Sequence, residues 1–340
     1  MRIRALAASV ISAGTLAGVL AGVVATGAPA ASAGTTSPAS GAAIPVRHFN
    51  VGGSPGDAAV DPGRGAVWVG TGSAVVRIRE ATQRIAARVK FDGLFVAVDP
   101  SRGVVWAVNQ ANGTLAEISE QTNKVVRTVV VNALIEGLAV DPRTGTVWVT
   151  TGGSLVELSE ATGKVLHRSV LVSNVQFKAP YGVAADPNRG VVWVVIEQDN
   201  RPAVDGLLVE YSESAHRVIR KVSLGYGITS IAVDATHGTV WAATWSQTLR
   251  IVRESTGKVK MLPNVPNGGT GVAIDPVARR VLITGTKGTG GLIWIVSETT
   301  DKVVGQVPVG FEPVLPAVDP RTHNAYVPIN FRGAVAEFGV

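Results

Sequence analysis

The stretch AVDPRTGTVWV at residues 139–149 decides the fold, because the chain carries seven versions of it. Each version has an aspartate, nearly always followed by proline, and consecutive aspartates are 38 to 48 residues apart: Asp61, Asp99, Asp141, Asp186, Asp234, Asp275 and Asp319. Seven residues after each aspartate stands a large apolar residue: Trp68, Trp106, Trp148, Trp193, Trp241, Leu282 and Tyr326. Similarity at such a period predicts one repeat architecture rather than several unrelated domains.

Each copy predicts four short antiparallel strands, A to D, joined by tight turns. The apolar run ending in AVD is strand A, DPxxG is a turn whose glycine takes a left-handed conformation, and the VWV segment is strand B. Arg279 and His323 replace this glycine in the last two copies, so those two turns are expected to be slightly strained. A variable loop then leads to strand C.

A second repeated hairpin joins strand C to strand D. It carries a glutamate followed four residues later by a basic residue, in the pairs Glu80 and Arg84, Glu120 and Lys124, Glu160 and Lys164, Glu213 and Arg217, Glu254 and Lys258, and Glu298 and Lys302. We expect these pairs to meet across an exposed hairpin, where an ion pair contributes only about 0–1 kcal/mol. Since they recur, both repeated turns are read as scaffold rather than as catalytic sites.

The ends of the chain predict how the array closes. The last copy contains strands A, B and C and no strand D, whereas IPVRHFNVGG at residues 44–53 reads as an isolated strand D. Pairing of residues 44–51 with the C-terminal strand would complete the seventh sheet and protect its edge. The predicted fold is therefore all-β, a seven-bladed β-propeller over residues 44–340 with four antiparallel strands per blade.

The repeated unit resembles the YVTN-type β-propeller repeat and is similar to the repeats of streptogramin lyases and lactonase-like propellers. The resemblance covers residues 44–340 and rests on AVDPxxGxVWV and LVELSExTGKVV. It implies the propeller fold, and it leaves the function open, since such propellers include secreted binding proteins, lyases and lactonases. The lyases use a histidine at the channel mouth together with magnesium and acidic partners.

The N-terminal segment reads as an export signal, which predicts a secreted protein. Residues 1–33 combine Arg2 and Arg4 with a long apolar stretch and the cleavage motif Ala31-Ser32-Ala33, and residues 34–43 read as a flexible linker. The alternative is an uncleaved membrane anchor, because the apolar stretch is long enough to span. We expect no other membrane span, and with no cysteine in the chain no disulfide can form.

Function is expected on one end of the ring, the upper face, where the variable B–C and D–A loops gather around the central channel. The candidate ligand-binding residues there are Glu136, Tyr181, Glu197, Asp199, Tyr226, Trp245, Glu312 and Arg332. The longest of these loops is predicted at residues 196–206, and its three carboxylates could meet a hard cation. Its spacing matches no calcium motif, so a solvated hairpin loop is the competing interpretation.

The distribution of histidines argues against the lyase-type site. His216, His237 and His323 map to the lower turns, and His48 and His167 map to outer strands. We therefore predict no catalytic residues and no required cofactor, although a divalent cation remains an option.

These observations favour a binding protein for an unknown protein, glycan or small-molecule ligand. The alternative is a metal-dependent lyase or lactonase with carboxylates at the channel mouth. The net charge is +6 without a basic stripe, so no nucleic-acid partner is expected. No sequence feature indicates an oligomer, and a monomer is expected.

Overall fold

Seven four-stranded antiparallel sheets form the computed structural model of this protein. The structure describes residues 44–172, 182–200, 203–245, 248–263, 265, 267–288 and 290–340, with the backbone alone for 197–200, 203–205 and 267–268. The predicted signal peptide and linker lie outside these residues. Among the described residues, no helix has the length and apolar character needed to span a membrane.

The strands follow the order A, B, C, D in blades 1 to 6. Ahead of them comes β1 (Arg47–Asn50). Blade 1 contains β2 (Asp57–Asp61), β3 (Ala66–Gly70), β4 (Val75–Arg79) and β5 (Arg84–Val89). Blade 2 contains β6 (Phe95–Asp99), β7 (Val104–Asn109), β8 (Thr114–Ser119) and β9 (Lys124–Val130). Blade 3 contains β10 (Ile135–Asp141), β11 (Thr146–Thr151), β12 (Ser154–Ser159) and β13 (Val165–Val170).

The second half of the chain repeats the pattern. Blade 4 contains β14 (Val183–Asp186), β15 (Val191–Asn200), β16 (Ala203–Ser212) and β17 (Arg217–Ser223). Blade 5 contains β18 (Ile228–Asp234), β19 (Thr239–Thr244), β20 (Thr248–Arg253) and β21 (Val259–Pro263). Blade 6 contains β22 (Asn267–Asp275), β23 (Arg280–Lys287), β24 (Gly290–Ser297) and β25 (Lys302–Pro308). Blade 7 contains β26 (Ala317–Asp319), β27 (Asn324–Ile329), a short 3-10 helix (Asn330–Arg332) and β28 (Ala334–Gly339).

The seventh blade is closed by the first strand, as predicted. Its sheet runs in the order β1-β28-β27-β26, and the register pairs Arg47 with Glu337 and Asn50 with Ala334. Phe49 and Val51 are buried in the cluster between blades 7 and 1, and the Val51 amide donates to the Gly333 carbonyl at 2.8 Å. The N-terminal strand therefore supplies both hydrogen bonds and core packing.

The first repeated turn has the predicted conformation in every copy. Asp99 is typical, since its Oδ1 accepts from the backbone amides of Ser101 and Arg102. The residue four positions after the aspartate is left-handed whether it is glycine, as at Gly145 (φ 67°), or not, as at Arg279 (φ 54°) and His323 (φ 58°). The strain expected at the two substituted turns therefore comes from the left-handed backbone of Arg279 and His323, which is unfavourable for residues with a Cβ.

Gly145→Ala isolates the backbone contribution of this turn. A Cβ at Gly145 would meet no atom within 4 Å, so steric contact contributes nothing to the outcome. The left-handed conformation alone is expected to lower the free energy of unfolding by about 1 kcal/mol. Thermal or urea unfolding measures the change, and Arg279→Gly, the reverse exchange, is expected to raise stability. Equal stability of Gly145→Ala and the parent chain would contradict the account.

The repeated tryptophans seal the interfaces between blades. Trp68, Trp106, Trp148, Trp193 and Trp241 are at most 1% exposed. Trp68 Nε1 donates to Glu120 Oε1 at 2.7 Å, and Glu120 belongs to the C–D turn of the following blade. The same bond joins Trp106 to Glu160, Trp193 to Glu254 and Trp241 to Glu298.

The predicted surface pairing of these glutamates with lysine or arginine on their own hairpin is therefore wrong. The glutamates turn inward and face the aspartate of the preceding blade, in the pairs Asp61–Glu120, Asp99–Glu160, Asp141–Glu213, Asp186–Glu254, Asp234–Glu298 and Asp319–Glu80. The buried indole N–H groups need acceptors, and an inward glutamate supplies one where a solvent-facing glutamate cannot. Each repeated turn thus holds two neighbouring blades together.

Burial and the facing aspartate favour the protonated form of these glutamates, so a pair of facing carboxyl groups can share one proton. Burial and the neighbouring Asp99 raise the pKa of Glu160 to about 8, and burial and Asp61 raise the pKa of Glu120 to about 7. Burial alone would raise the pKa of Asp99, but bonds from Glu160 and Ser101 outweigh it and hold that pKa low. Buried oxygens such as Asp99 Oδ2 and Glu160 Oε2 have no other hydrogen-bond partner, so a shared proton satisfies both.

The interface between blades 6 and 7 explains the one aliphatic residue in the tryptophan series. Blade 7 receives its fourth strand from the N-terminus, so it has no C–D hairpin and no inward glutamate. Leu282 stands at the tryptophan position of blade 6 and needs no acceptor. His323 takes the place of the glutamate, with Nδ1 at 2.7 Å from Asp275 Oδ2. Chain closure therefore accounts for two departures from the repeat.

The prediction of a loop at residues 196–206 is wrong, because most of this segment is β-strand. β15 continues to Asn200 and β16 begins at Ala203, and the two pair without a break from Val191–Ser212 to Asn200–Ala203. The segment is therefore a ladder that extends the B and C strands of blade 4.

Candidate functional site

A pocket of about 500 Å³ occupies the upper mouth of the central channel. Strand A of every blade begins there, because strand A runs from the channel mouth down to the lower aspartate turn. Each blade contributes to the wall, through residues that include Asp57, Phe95, Glu136, Gly182, Thr229, Val272 and Leu315. The pocket is therefore a property of the closed ring and lies on the face where function was predicted.

Glu136, a predicted site residue, lies in this pocket. It is the second residue of β10, and its side chain is half-buried in the wall. Its Oε2 is buried and has no hydrogen-bond partner, and burial raises the pKa of the carboxyl group. An orphaned buried carboxyl oxygen costs about 1–3 kcal/mol. Glu136 is thus a group that a ligand donor would satisfy.

Asp57 is the second carboxyl group in the pocket wall. Its Oδ1 accepts from the Ala58 amide at 2.9 Å, and its Oδ2 accepts from the Val96 amide of blade 2 at 3.0 Å. Burial raises its pKa to about 7 against the lowering effect of these bonds. Asp57 therefore ties blade 1 to blade 2, whereas Glu136 has a free oxygen.

Neutral polar groups and apolar side chains complete the wall. Thr229 and Ser230 of blade 5 border the pocket, and Gln110 of blade 2 donates to the Ile135 carbonyl beside Glu136. The apolar part of the wall consists of Phe95, Val96, Leu138, Val183, Ile231, Val272, Leu315 and Pro316. The wall thus combines hydrogen-bonding groups with apolar side chains, as small-ligand pockets do.

Tyr226 and Trp245, both predicted site residues, lie on neighbouring loops of the upper rim. Tyr226 is 53% exposed and Trp245 is 48% exposed. The loops meet at Gly227, whose carbonyl accepts from the Trp245 amide at 2.9 Å, and a Cβ on Gly227 would lie 3.6 Å from the Trp245 Cβ. The two aromatic residues thus belong to one exposed patch.

Glu312 and Arg332, also predicted site residues, lie on another pair of adjoining loops, beside blade 7. The Glu312 carbonyl accepts from the Asn330 amide, and Arg332 ends the short helix Asn330–Arg332. Burial raises the pKa of Glu312, and its backbone is left-handed at φ 56°. The guanidinium carbon of Arg332 lies 3.5 Å from where a Cβ on Gly310 would be. Neither residue lines the channel pocket.

Two rim residues were missed in the prediction. Phe311 and Phe331 are exposed, and their ring centroids are 5.7 Å apart on the same two loops as Glu312 and Arg332. Single aromatic residues in variable loops carry no repeat signal, so the D–A loop with Phe311 and the B–C loop with Phe331 gave no indication that they meet. With Tyr226 and Trp245 they form the aromatic rim.

Three predicted site residues are not placed by the structure. Tyr181 lies outside the described residues, as do the side chains of Glu197 and Asp199, whose backbone belongs to β15. The predicted histidine positions do match the structure, since His237 and His323 follow strand A in the lower turns. His216 stacks on His167 at the outer strands, with ring centroids 4.3 Å apart.

Comparison with known proteins establishes the fold and no family. No family model matches the chain, and no curated protein matches it. A chain of hydrazine synthase from Kuenenia stuttgartiensis is similar in structure, with a TM-score of 0.72 and 15% identity over 84% of this chain and 96% of that one. The β-propeller domain of Cps50 (Swd1) from Myceliophteria thermophila has a TM-score of 0.72 and 11% identity, over 87% and 99%.

At these identities the structural likeness shows a shared β-propeller fold and transfers no activity.

Proposed function

We propose that this protein is a secreted binding protein of the YVTN-like propeller type, which takes its ligand at the upper mouth of the central channel. The single observation that supports this most is Glu136, whose carboxyl oxygen is buried in the pocket wall without a partner. Buried polar groups in folded proteins are nearly always paired, so an unpaired one needs an explanation, and at a pocket wall a bound ligand supplies it. Secretion rests on the signal-like N-terminal segment alone.

The pocket chemistry favours a ligand with a basic group on a short apolar stem. A cationic nitrogen would donate to Glu136 and hold its carboxyl group ionised, since an opposite charge nearby favours the charged form. The apolar wall would cover the stem, and the aromatic rim offers flat surfaces to the part of the ligand that remains outside. A lysine or arginine side chain of a protein partner and a free amine share this chemistry.

Agmatine is a suitable first probe of the pocket, with 1,4-butanediol as the uncharged control of equal chain length. We expect titration calorimetry to detect saturable binding of agmatine that Glu136→Gln weakens by tenfold or more, since a hydrogen bond to a charged group contributes about 1.5–3 kcal/mol. Tyr226→Ala, on the rim, should retain binding of this small probe. Equal binding of both probes, or binding that survives Glu136→Gln, would contradict the proposal.

Glu136→Gln also has an expected effect without any ligand. A residue kept for binding is often unfavourable for stability, because its buried charge is unsatisfied in the free protein. We therefore expect the variant to raise the free energy of unfolding at pH 8 by about 1 kcal/mol. Thermal unfolding provides the measurement. A loss of stability would assign Glu136 a structural role instead.

A further inference from the structure

The interface between blades 5 and 6 brings a histidine between two carboxylates. His237 Nδ1 lies 2.7 Å from Asp234 Oδ2 and 3.9 Å from Glu298 Oε2. All three ligand atoms lie within 4.8 Å of one another. In a tetrahedral zinc site with bonds of about 2.0–2.2 Å, neighbouring ligand atoms are roughly 3.3–3.5 Å apart. The observed distances of 2.7 Å and 3.9 Å lie on either side of that range, so small side-chain movements would bring the three atoms to zinc-binding distances.

Each carboxylate is held from behind through one oxygen, and its second oxygen faces the imidazole. At Asp234 that second oxygen is hydrogen-bonded to His237 Nδ1, a bond that a metal ion would replace. Asp234 Oδ1 accepts from the amides of Thr236 at 2.8 Å and His237 at 3.0 Å, so Oδ2 faces the imidazole. Glu298 Oε1 accepts from Trp241 Nε1 at 3.0 Å, while Oε2 is buried and has no hydrogen-bond partner. The Glu298 side chain is only 3% exposed. Such outer bonds are what orients ligands in metal sites.

The repeat shows that this location is built for a positive charge. In blade 1 the Arg64 guanidinium lies 2.7 Å from Asp61 and 3.4 Å from Glu120. In blade 7 the Arg321 guanidinium lies 3.3 Å from both Asp319 and Glu80.

His237 stands at the corresponding position of blade 5. The arginine guanidinium is always a cation itself, whereas a neutral imidazole can bind a metal cation through a ring nitrogen.

We propose that Asp234, His237 and Glu298 form a binding site for a divalent transition-metal ion, with Zn²⁺ as the best-matched ion. Zn²⁺ is bound by both imidazole nitrogen and carboxylate oxygen, whereas Ca²⁺ and Mg²⁺ prefer oxygen alone. The ion would replace the arginine of the other blades in neutralising the two carboxylates.

The fourth ligand would come from solvent. A pocket of about 300 Å³ borders His237, Trp241 and Glu298, so water reaches the site. Arg253, Lys258 and Arg279 line the same pocket. These cations would attract an anion to the open coordination position, such as hydroxide or a carboxylate. The site is on the lower half of the ring, and it is independent of the channel mouth and its proposed ligand.

Zinc binding to the untagged protein tests this inference. Competition with a chromophoric chelator is expected to give one bound Zn²⁺ per chain, with a concentration-dependent rise in Tm. His237→Arg introduces the residue that stands three positions after the turn aspartate in blades 1, 2 and 4, so it should fold without metal and lose at least tenfold in zinc affinity. Co²⁺ is expected to give the visible absorption of a four-coordinate site in the parent chain and not in the variant.

His323→Gln is the matched control. Its Nδ1 also lies 2.7 Å from an aspartate, Asp275, but blade 7 has no C–D glutamate to complete a site. This variant should keep the parent affinity. Unchanged zinc binding in His237→Arg, or a loss caused by His323→Gln instead, would overturn the assignment. Since none of these residues borders the channel pocket, agmatine binding should be the same in both variants.

Discussion

A chain that begins at Gly52 is expected to be far less stable than one that begins at Ile44. The shorter chain lacks β1, so β28 becomes an exposed edge and the cluster between blades 7 and 1 loses Phe49 and Val51. Burial of two large apolar side chains contributes about 1.5–3 kcal/mol each, before the lost ladder bonds are counted. We expect Tm to fall by about 10 °C or more, together with aggregation through the open edge.

Two comparisons separate the loss of β1 from any general effect of shortening the chain. A chain that begins at residue 44 should have the same Tm as the longer chain, because the propeller starts there. If the chain from Gly52 is insoluble, Phe49→Ala in the intact strand provides a milder test, with an expected loss of about 3 kcal/mol. An unchanged Tm in both shortened chains would refute closure by the N-terminal strand.

Raising the pH from 5 to 9 is expected to destabilise the protein steeply. Burial and a facing aspartate raise the pKa of Glu80, Glu120 and Glu254 to about 7, and of Glu160 and Glu213 to about 8, against an ordinary value of 4.5. A raised pKa stabilises the fold fully below 4.5, and this stabilisation is lost as the pH rises through 7–8. Each carboxyl group contributes up to about 1.4 kcal/mol per pH unit.

The acid side of the profile has the opposite sign. Asp61 and Asp99 have lowered pKa values, so their stabilisation is present above the ordinary 3.8 and is lost as the pH falls. The free energy of unfolding is therefore expected to peak at about pH 4–5. Thermal unfolding from pH 3 to pH 9 at constant ionic strength, with a chelator present, measures both limbs.

Glu160→Gln removes one titrating group while it keeps the bond from Trp106. The variant should match the parent chain at pH 5 and lose less stability between pH 5 and pH 9. Asp92→Asn, at an exposed loop position, is the matched control and should leave the slope unchanged. A parent chain whose Tm is flat between pH 5 and pH 9 would disprove the shared-proton account.

The fold was predictable because its signals are local and repeated. Seven aspartate turns and seven large apolar residues fix the number of blades, and the missing last strand together with the spare first strand fixes the closure. The partners of the inward glutamates were not predictable in the same way. Trp68 and Glu120 are 52 residues apart, so their bond depends on the packing of neighbouring blades, and the sequence favoured a nearer basic residue.

The upper face was predictable as a location but not as a set of contacts. Glu136 was found because it stands at the start of a strand A, where the topology brings all blades together. Its oxygen is unpaired because, among the described residues, the closed ring places no hydrogen-bond donor beside it. Asp57 accepts a bond from the Val96 amide only because the ring brings blade 2 next to blade 1. Glu312 and Arg332 adjoin each other on the rim because two loops of unrelated sequence meet there.

The shared seventh blade also imposes an order of events on the molecule's maturation. The strand that emerges first from any ribosome or translocation pore has its only sheet partner, β28, at the opposite terminus of the polypeptide. The ring therefore cannot close until β28 has been synthesised. Completion of the ring is therefore a late step, which is compatible with the export proposed for this protein.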